Sequence, residues 1–241
     1  MEVNLQDISD GKLYSLGDMV KVGCHDCAGC SECCQDMGQS ILLDPYDVFC
    51  LTKHLGVTFP ELMQDKVELH VEDGLILPNL KMTVPQEPIG GLASEVTEKD
   101  SQANTVPQCA FLNAQGRCSI HQFRPGICRL FPLGRSYEDN KLKYFLLTDA
   151  CPIPNKTKMK VGKWLGMPQP VSYEKFLVTW HSFVKNMRAV LEEHAEDEAY
   201  TKMLTVKFLE IFYLQPYASD DFYAEFQKRL ETAKVLTGIA I

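Results

Sequence analysis

The stretch from Gly23 to Cys34 reads GCHDCAGCSECC and packs five thiols, Cys24, Cys27, Cys30, Cys33 and Cys34, into eleven residues. A two-residue gap makes a tight turn that lets both thiolates face one metal ion or cluster, and that gap occurs three times in succession. Cys33 and Cys34 are adjacent, and adjacent side chains point apart unless the backbone is strained. The pair is therefore expected to serve different metal atoms or different sites. Four more cysteines follow at Cys109, Cys118, Cys128 and Cys151. This is more sulfur than one four-coordinate site uses, so two metal centres or one polynuclear centre is expected. Cys50 stands alone inside a short helical pattern and reads as a small buried apolar residue.

Zinc suits four thiolates and needs no redox chemistry. Iron–sulfur clusters also take four thiolates, and their bacterial signature is a ladder of C-x-x-C steps with a cysteine–proline pair. The chain carries the ladder at 24–33 and, far from it, Cys151-Pro152, which tips the expectation towards iron–sulfur. Disulfides would need an oxidising compartment. The opening MEVNLQDISD has no apolar run, so no secretory signal is expected, and no window approaches the length of a membrane span. A cytoplasmic location follows as the expectation. The net charge of −8 argues against nucleic acid or anionic membrane as partner.

Four of the six arginines, Arg117, Arg124, Arg129 and Arg135, fall within nineteen residues around Cys118 and Cys128. Guanidinium groups there would offset the charge of a thiolate-held centre, or receive a small anionic ligand or a docking protein. Surface pairing with Asp and Glu is the alternative.

The elements that must position these residues read as α+β: an irregular cysteine-rich module with short hairpins over 1–170, then a three-helix region over 171–241. Asp44 is placed to cap a short helix that has Pro45 in its first turn, Gly56 at its stop, and Val48, Leu51 and Leu55 on one face. KVELHVEDGLILPNL alternates around EDG as a hairpin containing His70, and Pro85 to Pro107 has no periodicity and reads as a long loop. A second hairpin is expected to pair Arg129–Ser136 with Leu142–Thr148 across EDNK, followed by a basic run from Lys156 to Lys163. From Ser172, taken as a cap, the period becomes 3.6, with Phe176, Leu177, Trp180, Phe183, Val184, Met187 and Leu191 in one stripe. Further helices are expected over 197–214 and from Ser219-Asp220 to Gly238, with His181 and His194 structural or exposed.

Cys27-Ala-Gly-Cys30-Ser-Glu-Cys33-Cys34, then Cys109-Ala-Phe-Leu, Cys118-Ser-Ile-His, Arg124-Pro125-Gly-Ile-Cys128-Arg129 and Cys151-Pro152, resembles the bacterial YkgJ-type cysteine-cluster family of zinc- or iron-chelating proteins. The resemblance covers about 20–155. It implies Cys27, Cys30, Cys33, Cys34, Cys109, Cys118, Cys128 and Cys151 as the ligand set and leaves Cys24 and Cys50 outside. Flagellin lysine methylases carry a similar cluster, which implies S-adenosylmethionine-dependent methyl transfer as one activity. The chain has no glycine-rich nucleotide loop and no C-x3-C-x2-C run to go with it.

Three functions follow. The first is a metalloprotein holding iron–sulfur, zinc or iron on these cysteines. The second is a metal-dependent enzyme in which Arg124 or Arg129 contacts an anionic group. The third is a protein that buffers or delivers metal. Beyond the thiols the sequence offers no acid–base pair or nucleophile, so catalytic residues are not assigned.

Overall fold

The computed structural model describes residues 5–24, 27, 30–84 and 106–239. Its architecture is α+β, with short antiparallel strand pairs at the cysteine-bearing end and helices at the other. The loop expected over 85–107 falls almost wholly outside the described residues.

Strand β1 (Met19–Gly23) follows a single helical turn, α1 (Leu5–Ile8), and its partner is the distant β8 (Thr157–Lys160). The sequence reading missed this pairing because its two halves lie at opposite ends of the cysteine region. Helix α2 (Pro45–Leu55) is capped as expected. The Asp44 carboxylate accepts from the Asp47 amide at 2.9 Å, Asp47 returns the favour to the Asp44 amide at 3.1 Å, and Gly56 closes the helix with φ 69°. Val48 and Leu51 are buried, whereas Leu55 is 38% exposed. Helix α3 (Phe59–Asp65) leads into the hairpin β2 (Val67–Glu72) and β3 (Leu75–Leu80), turned at Asp73-Gly74 with both φ positive.

Strands β4 (Met82–Thr83) and β5 (Gln108–Cys109) make a two-residue pair, and α4 (Gly126–Leu130) carries the GICR motif. The second hairpin is shorter than expected, pairing β6 (Leu133–Glu138) with β7 (Lys141–Leu146). Arg129 belongs to α4, because Pro125 and the following turn of helix claim residues that alternation alone would assign to a strand. Asp139 and Asn140 form the left-handed turn.

After the short helix α5 (Val161–Leu165), α6 (Pro170–Glu193) starts two residues earlier than the expected Ser172 cap, with Pro170 in its first turn. It buries Tyr173, Phe176, Leu177, Trp180, Phe183, Met187 and Leu191. Helix α7 (Glu198–Leu209) runs into a π-helical turn, Glu210–Leu214, and α8 (Phe222–Thr237) packs back on both. Arg229 on α8 satisfies the carbonyls that the π turn releases, donating to Ile211, Gln215 and Pro216 at 2.7–2.8 Å and pairing with Glu225. One hydrophobic core runs across residue 170. The Tyr213 hydroxyl donates to the Leu43 carbonyl at 3.0 Å, and the Thr205 hydroxyl to that of Gly74 at 3.1 Å.

Candidate metal centre

Three segments build the site. In the first, the chain leaves β1 and winds through consecutive three-residue turns. The Cys27 amide donates to the Cys24 carbonyl (3.3 Å), the Cys30 amide to that of Cys27 (3.1 Å), and the Cys34 amide to that of Ser31 (2.8 Å). Cys27 takes a left-handed φ of 56°, and Glu32–Cys34 is a turn of 3-10 helix. This is the physical form of the C-x-x-C ladder: each closed turn returns the next sulfur towards the last.

The second segment is brought in by backbone pairing. The Asp36 amide donates to the Pro107 carbonyl at 2.8 Å, which lays β5 and Cys109 beside the ladder's exit. The chain then folds back on itself. The Asn113 side chain accepts from the amides of Gln115 and Arg117, and the Ser119 amide donates to the Phe111 carbonyl at 2.8 Å, so Cys118 sits opposite Leu112. The third segment is α4, which carries Cys128.

Together these segments place Cys27, Cys30, Cys33, Cys34, Cys109, Cys118 and Cys128 around one pocket. Arg117, His121 and Arg124 complete its polar lining, over an apolar floor that includes Ile41, Leu80 and Ile120. The cavity volume is about 40 Å³, room for roughly three water-sized bodies. The adjacent pair does not diverge as expected: Cys33 and Cys34 both face this pocket, with Cys34 hydrogen-bonded to Cys33 and to Cys118. That contact and the nearby Arg124 pull the Cys33 thiol down to about 7 against its burial, and the Cys34 contact does the same for Cys118. Cys34, holding the shared proton, is pushed up correspondingly. Burial raises Cys27 to about 12, aided by Cys24, whose sulfur lies 3.5 Å away, and it also raises Cys109 and Cys128. These thiols stay protonated until a cation offsets the charge of their thiolates.

Cys151 is not among the residues lining this pocket; it borders a second cavity with Lys21 and Lys156, and its carbonyl accepts from the Lys156 ammonium at 2.8 Å. Arg124 lines the thiol pocket in contact with His121, and its buried Nε has no partner. Arg129 donates to the carbonyls of Arg124 (2.9 Å) and Gln122 (2.6 Å), holding the turn that carries Arg124. Cys50 sits on α2 beside Tyr46, pushed up to about 12 by burial, in keeping with an inert thiol. His121 was not singled out from the sequence, although its place three residues after Cys118 is a ligand-like spacing. Asp47 was not singled out either: its carboxylate accepts the Gly126 amide at 2.7 Å and so anchors the start of α4, the helix that carries Cys128.

Among the described residues, no three Cys, His, Asp or Glu side chains stand close enough together to grip a metal ion as they are. The donor chemistry nevertheless fits one kind of ion. Among the described residues the lining is thiol with one imidazole and has no carboxylate, which suits zinc or iron and not calcium or magnesium. No described helix is long and apolar enough to cross a membrane.

A family model described as "CxxCxxCC: Putative zinc- or iron-chelating domain" matches residues 26–152, more than half of the 241-residue chain. Comparison with curated proteins and with solved structures finds no match.

Proposed function

Because this chain belongs to the CxxCxxCC zinc- or iron-chelating family, we propose that it holds more than one zinc or iron atom, as a polynuclear or iron–sulfur centre, on the seven pocket cysteines. The observation that carries the reading is the convergence on one cavity of seven thiols from segments more than seventy residues apart in sequence. A single four-coordinate ion would leave three of them without a ligand's task. When bound, zinc supplies charge and cross-linking, and an iron–sulfur cluster adds one-electron chemistry. The chain's own part is to bring the thiols together, to neutralise the thiolates with Arg117 and Arg124, and to keep water out with the apolar floor.

The test is anaerobic purification followed by metal and acid-labile sulfide analysis. The expected result is at least about two metal atoms per chain, brown with sulfide for iron–sulfur or colourless for zinc. A metal-free chain that keeps its full fold would overturn the reading. Cys118→Ser is expected to lower the metal content and Cys151→Ser to leave it unchanged.

A further inference from the structure

The basic run from Lys156 to Lys163 takes no part in lining the thiol pocket. Two of its lysines, Lys158 and Lys160, stand on β8, and the antiparallel register sets Lys21 of β1 directly opposite Lys158 and Met19 directly opposite Lys160. Directly opposed residues share one face of a strand pair. Met19, Lys21, Lys158 and Lys160 therefore form a single face, and all four are exposed, whereas the intervening Val20 and Val22 are buried. The two strands thus present three ammonium groups outwards around one methionine.

That face carries a cost. Lys21 and Lys158 are like charges at opposed positions, which destabilises a strand pair. Among the described residues, none of Lys21, Lys158 and Lys160 has an ion pair to offset it. The Asp18 carboxylate, next to Met19 in sequence, accepts the Ser15 amide at 2.7 Å instead. Lys21 also borders a hollow of about 430 Å³, where it and Lys156 are two ammonium groups beside the single carboxylate of Asp149. The positive excess therefore extends from the strand face into the hollow, in a chain whose net charge is −8.

The chemistry of an anion that fits follows from charge and spacing. A net negative field repels long polyanions such as nucleic acid and anionic membranes, so this patch suits an anion that meets it and little else of the surface. Outward residues on one strand are ~6.6 Å apart. Alternate residues of any extended chain have the same spacing, so an acid at every second position can set one carboxylate on Lys158 and the next on Lys160.

We propose that the outer face of the β1–β8 pair docks an extended acidic segment of a partner protein, its carboxylates paired with Lys21, Lys158 and Lys160. Because β1 ends at Gly23, next to Cys24, the partner is held at the start of the cysteine ladder. The surface is formed by the two strands and does not depend on which metal fills the thiol pocket.

Titration of a labelled peptide of alternating Glu and Thr with the full-length, metal-loaded protein, followed by fluorescence anisotropy, tests the proposal. The comparison probes are the same peptide with Gln for Glu, a single-stranded oligothymidylate, and vesicles of phosphatidylserine and phosphatidylcholine. The Glu peptide is expected to bind saturably with Kd of ~0.1 mM or tighter at ~20 mM salt, at least ~5-fold more weakly at ~300 mM salt, and the Gln peptide at least ~10-fold more weakly. Lys158→Glu is expected to weaken binding of the Glu peptide ~5-fold or more while the denaturation midpoint holds or rises, since Lys21 gains an opposite charge across the strands. Lys160→Gln, which faces Met19, is expected to weaken it ~2–3-fold and decides the matter should Lys158→Glu fail to fold. Lys228→Glu makes the same charge change on the exposed side of α8 and is expected to leave binding within ~1.5-fold. Absence of saturable binding, equal binding of the two peptides, tighter binding of the oligothymidylate or the vesicles, or a loss in Lys228→Glu as large as in Lys158→Glu would each overturn the proposal.

Discussion

The two ends of the molecule are held together by different means. Beyond residue 170 the helices interlock through aromatic rings. Phe212 lies 5.0 Å from Trp180, 5.4 Å from Phe183 and 6.1 Å from Phe226, and it is fully buried. Around the thiol pocket the backbone runs through turns, two-residue strands and a five-residue helix, and the side chains that meet are cysteines. The aromatic end coheres through buried apolar surface. The thiol end has replaced much of that surface with sulfur, and its cohesion is left to whatever the sulfurs bind.

That contrast can be broken or sharpened by experiment. Chelation of the metal is expected to have the largest effect, since structural zinc sites contribute ~10–16 kcal/mol of binding free energy. Hydrogen exchange should show protection lost over 30–36 and 108–130 and kept over α6, α7 and α8; equal loss at both ends would erase the distinction. Phe212→Ala should cost ~3–5 kcal/mol in denaturant unfolding without changing metal stoichiometry. Gly126→Ala joins the two ends: a Cβ there would meet the Tyr173 hydroxyl and sit 3.0 Å from an Arg135 nitrogen. A cost of ~1–3 kcal/mol is expected, with metal content lowered as α4 shifts. Gly17→Ala, whose Cβ would meet nothing within 4 Å, is the neutral control. Asp44→Ala should remove about 1 kcal/mol through the lost cap of α2.

A pH slope is also expected. Burial lifts the Asp47 carboxyl to about 6, so between about pH 4 and 6 the native state holds a proton that the unfolded chain has released. Stability therefore falls as pH rises through that window and stays lower above it. The difference between wild type and Asp47→Asn, measured by denaturant titration at each pH, should carry that slope; a flat difference would remove Asp47 from the account.

Local signals were the legible ones. Asp44, Pro45 and Gly56 mark α2 because caps and stops depend on a few neighbouring residues, and Phe176 to Leu191 declares α6 through its period. The metal family was legible because C-x-x-C spacing encodes a turn. What sequence alone did not disclose depends on distant partners. The β1–β8 pairing is one case, and the second cavity that Cys151 borders is another. The glycine of RPGIC is a third: nothing beside it in sequence says that the Tyr173 hydroxyl fills the space where a side chain would go. Cys33 and Cys34 line one cavity where side chains pointing apart were expected, because an adjacent pair diverges in extended chain and here the two lie in a 3-10 turn.

The β1–β8 pairing also sets a timetable. The strand leading into the first cysteines finds its partner only after the last cysteine has been made, more than 130 residues later. At a synthesis rate of ~5–20 residues per second, β1 waits on the order of ten seconds for its partner. Closing the strand that leads into the ladder is thus a later step than making the seven pocket cysteines, the last of which is Cys128.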